Sequence, residues 1–161
     1  MRDYIVVLII FLAGWFANSI YGDLFTFEET PKNIDNIEEI APGDHFQEQD
    51  VEVYNDKVIL NLPYKGKEYS WSRYADTGSM KRTFDNKHNG IEILNPDIKD
   101  IKEGDIISYR LDTEIIVHRV VRIGSDNKGW YAITKGDANQ QADPYLVREN
   151  QVEALTIAII Y

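Results

Sequence analysis

The chain has 161 residues with 17 Lys and Arg, 27 Asp and Glu, three His and no Cys, for a formal charge of −10. This is the size of one domain, apolar enough to build a core. It has no basic footprint for neutralising phosphates, which excludes nucleic acid as a partner, and no thiol for disulfides, thiolate metal sites or a Cys nucleophile.

The first informative stretch is Tyr4 to Tyr21, YIVVLIIFLAGWFANSIY, eighteen residues without a charge. As a helix it would cover roughly 27 Å, enough to cross a thin hydrocarbon core. Trp15 and Tyr21 fall where amphipathic rings favour an interface. Arg2 precedes the stretch and Asp23, Glu28 and Glu29 follow it, a weak bias that leaves the N-terminus inside and the body outside. Residues 1–22 are therefore expected to be a transmembrane anchor in the cell membrane, single-pass, with an extracytoplasmic body. The competing reading is a cleavable signal peptide ending at Ala17-Asn18-Ser19. Either way the remaining chain is extracytoplasmic.

Residues 23–50 are acidic and turn-rich, with Pro31, Pro42 and Gly43. They read as a stalk, with a helical turn suggested by Ile34, Ile37 and Ile40. Beyond it, residues 51–161 read as mainly β. Val51–Val53 and Val58–Leu62 form a hairpin pair, and Tyr69–Arg73 and Gly90–Leu94 are strands. Asp105–Arg110, Glu114–Ile123 and Trp130–Lys135 follow, the second too apolar for an exposed edge. The last two are joined through Gly124–Gly129, and Val152–Tyr161 closes the chain as a further strand. Without a long amphipathic helix, a mixed β-sheet or partly open barrel is expected.

For chemistry, a serine hydrolase needs a hydroxyl nucleophile, a base, a group to orient the base and oxyanion donors. His45, in PGDHFQEQD, and His88, in DNKHNG, read as solvated surface residues. His118 lies within IIVHRVV, where a buried imidazole requires polar partners; a core histidine bonded to a backbone carbonyl would also satisfy it. Among the serines, Ser79 follows Gly78 in Thr77-Gly78-Ser79-Met80, although Thr-Gly-Ser is also common turn chemistry. Asp137 and Asp143, six apart in KGDANQQADP, are candidates to fix the imidazole tautomer, or turn-stabilising Asx residues.

Taken in order, TGSM, GDIISY (104–109), IVHRVV (116–121) and TKGDAN with a further Asp at 143 resemble the signal peptidase I family of the archaeal and endoplasmic-reticulum type. The resemblance runs from about Asp76 to the end of the sequence. The hydrophobic start and acidic hairpin region are similar to small membrane-anchored archaeal forms. It implies a signal-peptidase-like catalytic β-domain at 51–161. Ser79 matches the nucleophile, with Thr77 and the Ser79 amide forming the oxyanion hole. His118 matches the general base, and Asp137 and Asp143 match two family aspartates, Asp143 being the favoured partner of the imidazole. The implied activity is serine endopeptidase removal of signal peptides from exported preproteins, through an acyl-enzyme and without cofactor or metal. Implied partners are signal peptides and the bilayer; any complex with the secretion machinery is left open. Gly104-Asp105 matches a Gly-Asp that opens a strand of the fold.

The sequence departs from the family after Ser-Met. Lys81-Arg82-Thr83 replaces an acidic residue and proline, and 23 residues separate Met80 from Gly104. This insert lies beside the nucleophile, where it would reshape a substrate groove. Two other readings are a self-cleaving peptidase of the phage-repressor kind, opposed by His118 at a Lys position, and a catalytically silent membrane-anchored binding or scaffold module.

Overall fold

The computed structural model describes residues 40–161; the expected anchor and the helical turn at Ile34 and Ile37 lie outside them. Among the described residues nine strands form: β1 (Val51–Val53), β2 (Val58–Leu60), β3 (Tyr69–Arg73), β4 (Asn89–Leu94), β5 (Ile106–Leu111), β6 (Glu114–Asp126), β7 (Gly129–Lys135), β8 (Val147–Arg148) and β9 (Val152–Ile160). The only helices among the described residues are three-residue 3₁₀ turns. None is long and apolar enough to cross a membrane.

The fold is mainly β and consists of two sheets. The hairpin β1-β2 stands as one, and the other seven strands run β3-β4-β9-β5-β6-β7-β8. Every pairing is antiparallel, so the large sheet is not mixed as the sequence suggested, and it does not close into a barrel. Short connections make β1-β2, β5-β6 and β6-β7 antiparallel, since parallel neighbours need long crossovers, while β9 returns from far along the chain to lie between β4 and β5. The β6-β7 link is tighter than expected. β6 continues to Asp126, which pairs with Gly129 across Asn127-Lys128, and Gly129 supplies a φ of +105° that a side chain would resist.

Alternation along the strands divides the core. Ile93, Ile107, Tyr109, Val120, Ala132, Val147 and Leu155 cluster on one face with Ile101. On the other, Tyr74, Met80 and Phe84, from the segment after β3, pack on Ile106 with Val117 and Ile159. The Tyr74 and Phe84 rings stack with centroids 3.9 Å apart. A carboxylate sits in this sheet as well: Glu92 of β4 is buried and accepts hydrogen bonds from Ser72, Ser108 and Thr156, one from each of β3, β5 and β9. Hydroxyl donors from three strands stand in for the water that the carboxylate has lost.

The segment before β1 is not all solvated stalk. His45 is buried, against the expectation of a surface residue, because its partners come from far along the chain. Its Nε2 lies 3.0 Å from Oδ1 of Asp105, which is fully buried, and its Nδ1 lies 2.9 Å from the Tyr64 hydroxyl. Asp105 also accepts from the amides of Gly43 (2.7 Å) and Lys102 (2.8 Å). Gly104 has φ +97°, and a Cβ there would come within 1.9 Å of the Ala41 carbonyl oxygen. Residues 41–45 thus pack directly on the turn that opens β5. His88 is half-buried, with Nδ1 accepting from the Asp85 amide at 2.9 Å and its ring edge-on to Tyr161.

Candidate active site

The site is built where the segment following β3 meets the loop following β7. Gly78 takes φ +79°, a value open to glycine, and turns the chain so that Ser79 is partly exposed while Met80 is buried. A compact turn follows, in which the Thr83 and Phe84 amides both donate to the Met80 carbonyl, at 2.8 and 2.9 Å.

The loop after β7 grips this turn. The Ala138 amide donates to the Ser79 carbonyl at 2.8 Å, and the Asp137 amide approaches Met80 Sδ at 3.4 Å. Gly136 passes so close that a Cβ would lie 2.8 Å from the Ser79 carbonyl oxygen. The backbone of Ser79 is thereby fixed by a loop nearly sixty residues away in sequence.

Asp137 does not touch the imidazole. It accepts from Arg119 through Nε at 2.8 Å and Nη2 at 2.7 Å, and from the Thr83 hydroxyl. Burial pushes the Asp137 carboxyl up, but the Arg119 and Thr83 hydrogen bonds and the Arg119 charge outweigh it and hold the group below the ordinary carboxylate value. Arg119 also donates through Nη1 to the Gly104 carbonyl at 2.7 Å and through Nη2 to Thr83 at 3.2 Å. One guanidinium therefore ties together β6, the start of β5, the loop after β7 and the turn carrying Ser79.

His118, the residue before Arg119 on β6, is buried and lies with Nδ1 2.7 Å from Asp143 Oδ2. The same oxygen accepts from the Thr134 hydroxyl at 2.6 Å and the Tyr109 hydroxyl at 3.0 Å. The Asp143 amide donates to the Thr134 carbonyl at 2.8 Å, which sets the carboxylate's position. Burial, then the Asp143 charge, raises Tyr109 far above the ordinary tyrosine value, so its hydroxyl stays a donor. With three donors converging on one carboxylate oxygen, the proton of a neutral His118 belongs on Nδ1, and Nε2 keeps its lone pair.

Between the two aspartates, then, Asp143 meets the imidazole and Asp137 meets Arg119. Ser79 and Thr77 are also brought together, with the hydroxyl oxygens 3.1 Å apart and the Ser79 amide 3.5 Å from Thr77 Oγ1. No hydrogen bond links Ser79 to His118 among the described residues; the Ser79 hydroxyl bonds Thr77. A cleft of about 50 Å³ opens beside Ser79, walled by Tyr74, Met80, Phe84 and Val117 with Asp85 among its lining residues. No group of three or more His, Asp or Glu side chains among the described residues is arranged to hold a metal ion.

Arg119, Thr83, Thr134 and Tyr109 were not singled out from the sequence. Only Arg119 carried a local signal, its place in the His-Arg pair. The others are hydroxyls whose partners are set by strand pairing. Comparison with protein-family models, curated proteins and solved structures finds no match for this chain.

Proposed function

We propose that the protein is a membrane-anchored serine endopeptidase of the signal-peptidase type, which removes signal peptides from exported preproteins. The observation that carries this reading is the buried His118–Asp143 pair, adjacent in β6 to the Arg119 that ties down the turn bearing Ser79. A neutral imidazole with a free Nε2 has the form of a general base, and Asp143 would stabilise the imidazolium once formed.

In this mechanism a bound substrate brings Ser79 Oγ and His118 Nε2 into contact, as catalytic hydrogen bonds often tighten only in the complex. His118 takes the hydroxyl proton as Ser79 Oγ attacks the scissile carbonyl carbon. The oxyanion that forms is met by the Ser79 N–H and the Thr77 hydroxyl, whose long mutual contact in the free protein is readily exchanged. His118 then gives its proton to the leaving amine, and water, deprotonated by the same imidazole, hydrolyses the acyl-enzyme. The cleft beside Ser79, with Met80 and Val117 in its lining, suits a small apolar side chain next to the cut.

A second reading has one observation in its favour: the Ser79 hydroxyl bonds Thr77 rather than His118. A domain that stayed in that arrangement would be a silent, membrane-anchored binding module. Co-expression of the full-length chain with a secreted reporter bearing an Ala-x-Ala signal peptide separates the two. The peptidase processes the reporter and Ser79→Ala does not; equal processing with both forms contradicts the proposal.

A further inference from the structure

The large sheet carries a polar stripe across four of its strands. Ser70 of β3 pairs with Glu92 and Ser72 with Gly90, so alternation puts both serines on the face of Glu92. Glu92 pairs in turn with Thr156 of β9. Its Oε2 accepts from the Ser72 hydroxyl at 2.5 Å, and its Oε1 from Ser108 at 3.2 Å and Thr156 at 3.3 Å. The Ser70 hydroxyl lies 3.5 Å from that of Ser72.

These bonds leave two things unbalanced. The first is charge. Glu92 is buried, and no Lys, Arg or His among the described residues forms an ion pair with it. Hydroxyl dipoles lower the cost of a buried carboxylate without cancelling its charge, and buried charges are paired or coordinate a cation. The second is Tyr74, two residues beyond Ser72. It is only 7% exposed, and its hydroxyl has no hydrogen-bond partner among the described residues. The hydroxyl lies over Gly90, where a Cβ would come within 1.9 Å of its oxygen, and Gly90 shares a face with Glu92. Burial pushes Tyr74 up to about 12, with Thr156 opposing this and the Glu92 charge adding to it. The group is therefore a neutral phenol with an unused oxygen beside an uncompensated carboxylate.

We propose that this stripe binds an alkali-metal cation, Na⁺ above all, through Glu92 and the hydroxyl oxygens of Ser72, Ser108, Thr156 and Tyr74. A hydroxyl that donates its one proton to the carboxylate keeps lone pairs for a cation. The donors are all oxygen, which suits a hard ion. With a single carboxylate a monovalent ion leaves the site neutral, whereas Ca²⁺ or Mg²⁺ would leave a buried positive charge. Ser70 and Ser72 are half-buried on the edge strand β3, which gives the ion a way in. Tyr74 also walls the Ser79 cleft and stacks on Phe84, so the bound ion ties that wall to β4, β5 and β9. This goes beyond the peptidase reading and does not rest on it.

Thermal unfolding of the full-length protein in zwitterionic micelles, in NaCl or tetramethylammonium chloride at equal ionic strength, tests the site. The proposal expects a midpoint that rises by about 3–6 °C per tenfold in Na⁺ once the site fills, and no rise with the bulky cation. Glu92→Gln keeps the side chain's size and removes its charge, so its midpoints in the two salts should coincide. Asp112→Asn removes one exposed charge at a turn and should keep the whole Na⁺ increment, which separates a site from general screening. Tyr74→Phe keeps the ring and removes the oxygen, and should need about tenfold more Na⁺ for the same increment; it carries the test if Glu92→Gln does not fold. Equal midpoints for wild type in the two salts overturn the proposal. So does an increment that survives unchanged in Glu92→Gln or Tyr74→Phe, or one that is lost in Asp112→Asn. None of these readings involves cleavage, so failure here is distinct from failure of Ser79 as a nucleophile.

Discussion

Asp137 and Asp143 lie in one loop, and their neighbours give them different work. Asp143 receives the imidazole N–H and two hydroxyls on one oxygen, an arrangement that orients a base. Asp137 receives a guanidinium and a hydroxyl, an arrangement that holds chain segments together. Substituting Asp137→Asn removes the charge that compensates a buried Arg119, and breaking a buried pair in this way destabilises by about 3–5 kcal/mol. The folded pKa of Asp137 is depressed, so its contribution is complete above the ordinary carboxylate value and is lost as pH falls through the lower, folded one. Urea unfolding of wild type and Asp137→Asn should therefore differ by a constant amount from neutral pH down to about pH 4, with the gap closing in stronger acid. A gap that is absent at neutral pH, or that persists unchanged in strong acid, contradicts this account of the pair.

At the scale of elements, β6 carries the argument, since its consecutive residues His118 and Arg119 serve the base and the nucleophile's turn. The strands themselves were largely legible. The apolar runs at 58–62, 105–110, 114–123 and 152–161 were expected as strands, and strands form at Val58–Leu60, Ile106–Leu111, Glu114–Asp126 and Val152–Ile160; the last three are held by pairing and partly buried on their neighbours, whereas Val58 and Ile59 of β2 stay exposed. β8, two residues after a proline-containing loop, was not legible: its register comes from β7, not from its own sequence. His45 was misread for the same reason, since acidic neighbours suggested solvent while its burial depends on Asp105, sixty residues on. Asp105 is accordingly an element-level keystone. Asp105→Ala would leave the His45 ring and the Gly43 and Lys102 amides without their acceptor, at about 1–3 kcal/mol for each donor. Chemical denaturation should show a loss of at least about 3 kcal/mol; a loss under about 1 kcal/mol would mean that residues 41–45 are not held by this carboxylate.

For the molecule as a whole, the described residues form two antiparallel sheets, and four separate motifs of the sequence meet at the larger one. TGSM, GDIISY, IVHRVV and TKGDAN converge through Arg119 and the loop after β7, although nothing in their spacing states that Asp143 would reach the imidazole and Asp137 the guanidinium. That division depends on where the loop after Lys135 turns, which is fixed by the Asp143 amide on Thr134 and the Ala138 amide on Ser79. The Ser79–His118 contact, by contrast, was not to be read from sequence at all, since it is assigned to the substrate complex. The central claim is that Ser79 is a nucleophile activated by His118 and oriented through Asp143. Its most direct measurement is mass-spectrometric detection of an acyl adduct after exposure of the full-length, bilayer-reconstituted protein to a serine-directed acylating probe. The account predicts a single adduct on Ser79, formed about 10⁴ times more slowly in Asp143→Asn and absent in His118→Ala. An unmodified Ser79 in the folded wild type, or an adduct that forms as fast in His118→Ala, would contradict it.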